Sequence, residues 1–177
     1  MTVRIKIVPL LAVTFALASC EVASTSAKES DDIAHSGPAM NFHRISSKLA
    51  TGGHFTGDGI AELKDQGVSL VIDLRDKPPE DQEQRLEAAG IRYINVPVVW
   101  KAPVLEDFET FARYISENRD EHIFVQCQAN YRASAMTYAY RVAKDGVPET
   151  EAREDLDAIW TPEGTWKTYI DDILKTR

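Results

Sequence analysis

Three features of the chain predict an α/β fold, with a small parallel-core sheet flanked by helices and a C-terminal helical cover. Short apolar runs of strand length occur at 68–74, 91–96 and 122–126, each after a helix-like stretch. Such runs mark strands buried on both faces, as in parallel sheets. Apolar residues recur at helical spacing between the runs, and beyond the last run only helical stripes remain. Strands alternating with helices give a sheet with right-handed crossovers.

The elements follow in order. Residues 44–50 add a short N-terminal strand or hairpin. Ile60 and Leu63 share one face of a helix over 57–66, and Gly67 supplies its stop. Leu105, Phe108, Phe111, Ala112 and Ile115 mark a helix over 104–118. Residues 133–145 are apolar on most sides (Ala135, Met136, Ala139, Tyr140, Val142, Ala143), which predicts a helix packed deep in the fold. Pro148 suits a helix start. The stripes Ala152, Leu156, Ile159, Trp160 and then Trp166, Tyr169, Ile170, Ile173, Leu174 form the cover.

The chain has 177 residues, 44% hydrophobic and 27% charged, with a formal net charge of -8 and two cysteines. That composition fits one globular domain and excludes collagen-like, coiled-coil and largely disordered chains. The acid excess argues against nucleic acid as a partner, since phosphate neutralisation needs clustered cations. Two cysteines cannot make a disulfide scaffold. Arg4 and Lys6 precede an apolar run over 7–19, too short to span a bilayer and suited to a secretory signal. The run ends Leu17-Ala18-Ser19-Cys20, which resembles a bacterial lipobox with Cys20 as the acylated first residue of the mature chain. The expected organisation is a signal peptide over 1–19, a lipidated Cys20 with a flexible tether over 20–40, and one domain over 41–177. The tether would have an r.m.s. span of about 25 Å. The expected location is the bacterial cell envelope: periplasmic, with the membrane reached only through the lipid. Glu21 after the cysteine resembles the outer-membrane class. Residues 1–19 hold two cations and no acid, so the mature chain carries -10.

In parallel sheets, ligands bind beyond the carboxyl ends of the strands. Arg75-Asp76-Lys77, the segment 97–103 and Cys127-Gln128-Ala129-Asn130-Tyr131-Arg132-Ala133-Ser134 arrive there. The last runs from an apolar strand into an apolar helix. Such a junction presents backbone N–H groups and the positive end of a helix dipole, which favour anions and a thiolate. Arg132 adds a planar fork suited to an oxyanion. A buried structural cysteine with a surface-paired arginine is the competing reading.

Residues 42–144 resemble the cysteine-dependent protein tyrosine phosphatase superfamily near its dual-specificity members. More closely, they resemble the bacterial phosphatase-like domains found with beta-lactamase-hydrolase-like proteins. The resemblance is carried by 44–53 (RISSKLATGG), 67–75 (GVSLVIDLR), 93–98 (YINVPV) and 124–134 (FVQCQANYRAS). It implies a phosphatase-like fold and a Cys127 thiolate that attacks a phosphate ester to give a phosphocysteine. Gln128, Ala129, Asn130, Tyr131, Arg132 and Ser134 would hold the phosphate. The loop departs from the superfamily pattern: Cys127 and Arg132 enclose four residues instead of five, nearer to rhodanese-like sulfurtransferases. Gln126 replaces the usual histidine, and Asn130 takes a glycine's role, since Asn tolerates a left-handed backbone. No Asp stands near Trp100, where the resemblance implies a general acid, and Asp107, with Glu106 beside it, is the candidate catalytic substitute. Acids in a first helical turn also have a dipole role. Arg75 and Lys101 either enrich the mouth in positive charge or are solvated surface residues, Asp73 reads as a strand-end structural residue, and His54 as a turn residue. Trp160, Trp166 and Tyr169 read as core of the cover. The four histidines show no metal spacing, and no cofactor is implied. The partner is a phosphate ester or other oxyanion. Three functions remain: a phosphomonoester hydrolase, a sulfurtransferase working through a Cys127 persulfide, and a binding-only oxyanion module. For the anchor, Cys20→Ser should move the protein from the membrane to the soluble fraction in cell fractionation, whereas a plain secreted protein would fractionate identically in both forms.

Overall fold

The structure, a computed structural model, describes Thr2 and residues 37–176. The expected signal segment, Cys20 and most of the tether lie outside the described residues. Residues 37–40, expected in the tether, belong to the fold: Ala39 is buried and bridges to Phe55, and Met40 N–H donates to His54 O at 3.0 Å.

The chain runs β1 (His43–Arg44), β2 (Leu49–Gly52), α1 (Gly59–Asp65), β3 (Leu70–Arg75), α2 (Gln82–Ala88) and β4 (Arg92–Val98). It continues through α3 (Leu105–Glu117), β5 (Ile123–Gln126), α4 (Tyr131–Ala143), α5 (Glu149–Asp157) and α6 (Gly164–Lys175). The five-stranded sheet has the order β1-β2-β5-β3-β4, with β1 antiparallel to β2 and every other pair parallel. The expected N-terminal hairpin and parallel core are both present. Helix α2 follows no stripe in the sequence, because QEQRLEA offers the core one apolar side chain, Leu86, beside the buried Gln82.

The strand order dictates the layers. From β2 to β3 to β4 the chain steps one way across the sheet; from β4 to β5 it steps back. Right-handed crossovers that step in opposite directions place their helices on opposite faces. Accordingly Leu63 of α1 and Leu86 of α2 pack with Val71 and Phe124 in one core. Phe108 and Phe111 of α3, Met136 and Tyr140 of α4, Leu156 of α5 and Trp166 of α6 pack with Leu70, Ile72, Leu74, Ile123 and Val125 in the other. Alternate residues of β3 and β5 thus serve the two faces, as a period of two requires. Cys127 continues the phase of Ile123 and Val125 and packs in the second core. The reversal leaves β5 between β2 and β3, so the chain leaving it emerges at the switch point of the sheet, where ligands bind in such folds.

At its carboxyl end the α1/α2 face turns polar. Asp73 stands opposite Gln126 in register and is fully buried. Arg75 donates to it through Nε at 3.0 Å and Nη2 at 2.6 Å, and Tyr93 OH donates to Asp73 Oδ2 at 3.1 Å. Gln126 Oε1 accepts from Gln82 Nε2 at 2.8 Å, and its Nε2 donates to Gly53 O at 3.1 Å. Burial, with the Asp73 charge second, pushes the Tyr93 phenol above its ordinary value. Asp73 is therefore the structural strand-end residue expected of it. Arg75 does not enrich the mouth of the site; it neutralises this buried carboxylate. Asp73→Ala would strand the Arg75 charge in the interior, and urea unfolding should show a loss of about 3–5 kcal/mol.

Candidate functional site

Cys127 directly follows β5 and lies 1% exposed in the lining of a cavity of about 250 Å³. Trp100, Gln128, Ala129, Tyr131 and Arg132 complete the lining. Between Cys127 and Arg132 the chain must leave a strand and enter a helix, and Asn130 makes the turn. It caps α4 in the left-handed region at φ 68, the conformation expected of it in place of a glycine.

The loop is braced from outside. Cys127 N–H donates to Gly52 O at 3.0 Å. Gln128 O accepts from His54 N–H at 3.0 Å and lies 3.0 Å from His54 Nδ1. Ala129 O accepts from Asn41 Nδ2 at 3.1 Å, and Asn130 Nδ2 donates to Asn41 O at 2.6 Å. Asn130 O accepts from Ser134 N–H at 2.9 Å and Ser134 Oγ at 2.7 Å. Described peptides are all trans, and in a trans unit the carbonyl and the following N–H point in opposite directions. Engaging the Gln128 and Asn130 carbonyls therefore turns the Ala129 and Tyr131 amides away from these braces. Both residues line the cavity, at the N-terminus of a 13-residue helix whose first N–H groups have no carbonyl in their own helix. The approach of the brace depends on Gly53, where a Cβ would lie 2.7 Å from Gln128 O and 2.9 Å from Ala129 Cα.

Arg132 is 7% exposed; its Nη1 donates to Val98 O at 2.7 Å and to Asp76 Oδ1 at 3.0 Å. These bonds fix the guanidinium beside Cys127. The Arg132 hydrogen bond is the main cause holding the half-exposed Asp76 carboxyl below its ordinary value of 3.8.

Cys127, Gln128, Ala129, Tyr131 and Arg132 are thus brought together as expected. Two expected phosphate contacts are placed elsewhere. Asn130 is fully buried and spends its side chain on Asn41, outside the cavity lining. Ser134 is buried one turn into α4, ties down the Asn130 carbonyl and accepts from Trp160 Nε1 at 3.2 Å. Asp107, expected as the catalytic acid, is also outside the lining. Its Oδ2 accepts from Val104 N–H at 3.1 Å, closing the first turn of α3, so the helix-cap role accounts for it. His54 is a turn residue whose ring holds a loop carbonyl. Trp166 and Tyr169 are core of the cover as expected, with Trp160 packed against it, and Trp160 and Trp166 also back Trp100 and Tyr131 in the cavity wall. The roles of Asp76, Asn41 and Trp100 were missed by sequence reasoning. Their only signal is position: Asp76 and Trp100 follow the carboxyl ends of parallel strands.

A parallel sheet whose central strand delivers a cysteine into an arginine-closed loop at a helix N-terminus defines a cysteine-dependent phosphatase-like hydrolase of the protein tyrosine phosphatase type. The chain belongs to the family described as DSP-PTPase phosphatase fused to NAD+ kinase, which matches residues 22–166. No curated protein matches it. Among solved structures it is similar to a DUF442 protein of Shewanella putrefaciens CN-32, at 24% identity and TM-score 0.68, covering 78% of this chain and 93% of that one. It is also similar to the core catalytic domain of the PP-IP phosphatase SIW14 of S. cerevisiae in complex with citrate, at 12% identity and TM-score 0.65 over 76% and 85%. A cysteine-to-serine variant of P. aeruginosa TpbA in complex with pTyr matches at 16% identity and TM-score 0.63 over 82% and 97%. At these identities the structural likeness speaks for the fold.

The left-handed turn yields a test. Asn130→Ala should cost about 1–2 kcal/mol in backbone strain beyond the lost bond to Asn41. Asn130→Gly, which keeps the turn relaxed, should unfold at the higher urea concentration of the two.

Proposed function

We propose that the protein hydrolyses phosphomonoesters through Cys127, acting in the cell envelope from a lipid on Cys20. The observation that carries the catalytic reading is the meeting of Cys127, the α4 N-terminus and the buried Arg132 around one small cavity. Phosphate-ester chemistry among the relatives, with a pTyr complex and a PP-IP phosphatase, supports it.

In this reading the phosphoryl group sits over Cys127, with its oxygens received by the Ala129 and Tyr131 amides and by Arg132. Cys127 reacts as the thiolate. Sulfur attacks phosphorus, an S–P bond forms, and the bond to the ester oxygen breaks with its electron pair on the leaving alcohol. Water then attacks phosphorus, which returns the thiolate and releases inorganic phosphate. Amides and guanidinium positioned in advance stabilise the charge on the equatorial oxygens through both steps.

Leaving-group protonation is the weak point of the site. Among the described residues no carboxyl group lines the cavity. Asp76, the carboxylate on Arg132, is held ionised by that contact and is a poor proton donor. The alcohol departs with little help, so turnover falls steeply as the alcohol becomes more basic.

Aryl phosphates are therefore the appropriate assay. Cys127→Ser should abolish phosphate release, and Arg132→Ala should lower kcat/KM by about 10²–10³-fold, the size seen when one oxyanion donor is removed. Full activity in the Cys127→Ser protein would overturn the reading. So would thiocyanate formation from thiosulfate and cyanide without any phosphate release, since the four-residue loop also suits a persulfide.

A further inference from the structure

The large apolar side chains that stand exposed among the described residues are gathered at one place. Val99, Trp100 and Val104 lie on the segment joining β4 to α3, Leu105 opens α3 and Tyr131 opens α4. Trp100 and Tyr131 both line the cavity over Cys127, and each is 38% exposed. Their ring centroids are 6.3 Å apart at 42°, too close to admit a third ring between them. They form one continuous wall.

That wall is built from behind by the helical cover. The Trp100 ring lies 5.7 Å from Trp160 and 5.1 Å from Trp166, and Tyr131 lies 5.0 Å from Trp160. The backbone of the segment is pinned as well. Trp166 Nε1 donates to Trp100 O at 3.0 Å, and Tyr169 OH donates to Val104 O at 3.0 Å. Two side chains of α6 thus set where the wall stands relative to Cys127. An apolar wall kept rigid and uncovered beside an anion site offers nothing to a polar alcohol, which would lose hydration against it. To a flat ring it offers area and quadrupole contact. The cavity of about 250 Å³ has room for a phosphate and part of a small ring system, and not for a folded chain.

We infer that Trp100 is a specificity-determining residue that selects phosphomonoesters of extended aryl alcohols over single-ring, alkyl or polar ones, with Trp166 as its positioning residue. The inference rests on the phosphate-binding reading of the Cys127–Arg132 loop. The ester would place its phosphate on the loop amides and lay its ring system along Trp100 and Tyr131.

Binding to the full chain carrying Cys127→Ser tests it without turnover, by calorimetry with inorganic phosphate, phenyl phosphate, 2-naphthyl phosphate and octyl phosphate. The two aryl esters differ chiefly in ring area. 2-Naphthyl phosphate should bind about tenfold more tightly than phenyl phosphate, the effect of one added ring against an apolar wall. Trp100→Ala in the same background should bring the two to parity and leave inorganic phosphate unchanged. Trp166→Phe keeps a ring but removes the bond to Trp100 O, and should give an intermediate preference with phosphate affinity intact. Equal binding of the aryl esters in the parent, a preference that survives Trp100→Ala, or octyl phosphate binding as tightly as 2-naphthyl phosphate would overturn the inference. Failure of inorganic phosphate itself to bind would instead remove the anion site, and the inference with it.

Discussion

A loop that offers its amides to an anion must place its carbonyls somewhere else, and the rest of the site depends on that constraint. Between Cys127 and Arg132 the carbonyls of Gln128, Ala129 and Asn130 are taken by His54, Asn41 and Ser134. An unpaired buried carbonyl costs about 1–3 kcal/mol, so each brace helps to fix the direction of a peptide plane. The N-terminal segment and its turn at Gly53 therefore orient the donors of a loop more than seventy residues away in sequence. The buried pair Asp73–Arg75 and the Gln126 amide extend the support inward, from β3 through β5 to the Gly53 carbonyl.

Charge is handled locally. The chain is acidic overall, yet the cavity lining contains Arg132 and no carboxylate among the described residues. Asp76 reaches that arginine from the rim, where it remains solvated, and Val98 O orients the guanidinium from within. Long-range attraction contributes little to such a site. In the proposed function, recognition rests on the fixed geometry of amides and guanidinium at contact distance.

Much of this was legible in the sequence because the relevant signals are local and periodic. The apolar runs of β3, β4 and β5 and the stripes of α3, α4 and α6 name their own elements, and Cys127, Asn130 and Arg132 announce a turn between strand and helix. α2 was not legible, since a helix with one buried leucine carries no period. Asp107 misled because an acid at the third position of a helix serves as a cap as readily as it serves chemistry. Ser134 and Asn130 misled because a polar residue in an anion loop can brace the backbone instead of facing the anion. Asp76 and Trp100 act through partners 56 and 66 positions away, and no spacing rule connects them.

The first bonds that the folded unit makes have a practical side. Within the described residues the chain pairs at Ala39 and Met40, and by Asn41 is already bonded to the loop that carries the cysteine. A fragment trimmed to begin at the first strand would keep every strand and helix of the described residues, Cys127 and Arg132. It would lose the Asn41 amide that holds Ala129 O and the Met40 carbonyl that holds Gly53. The functional boundary of the unit thus lies ahead of its first regular element, and a recombinant piece cut by secondary structure alone would fold around a loosened anion loop.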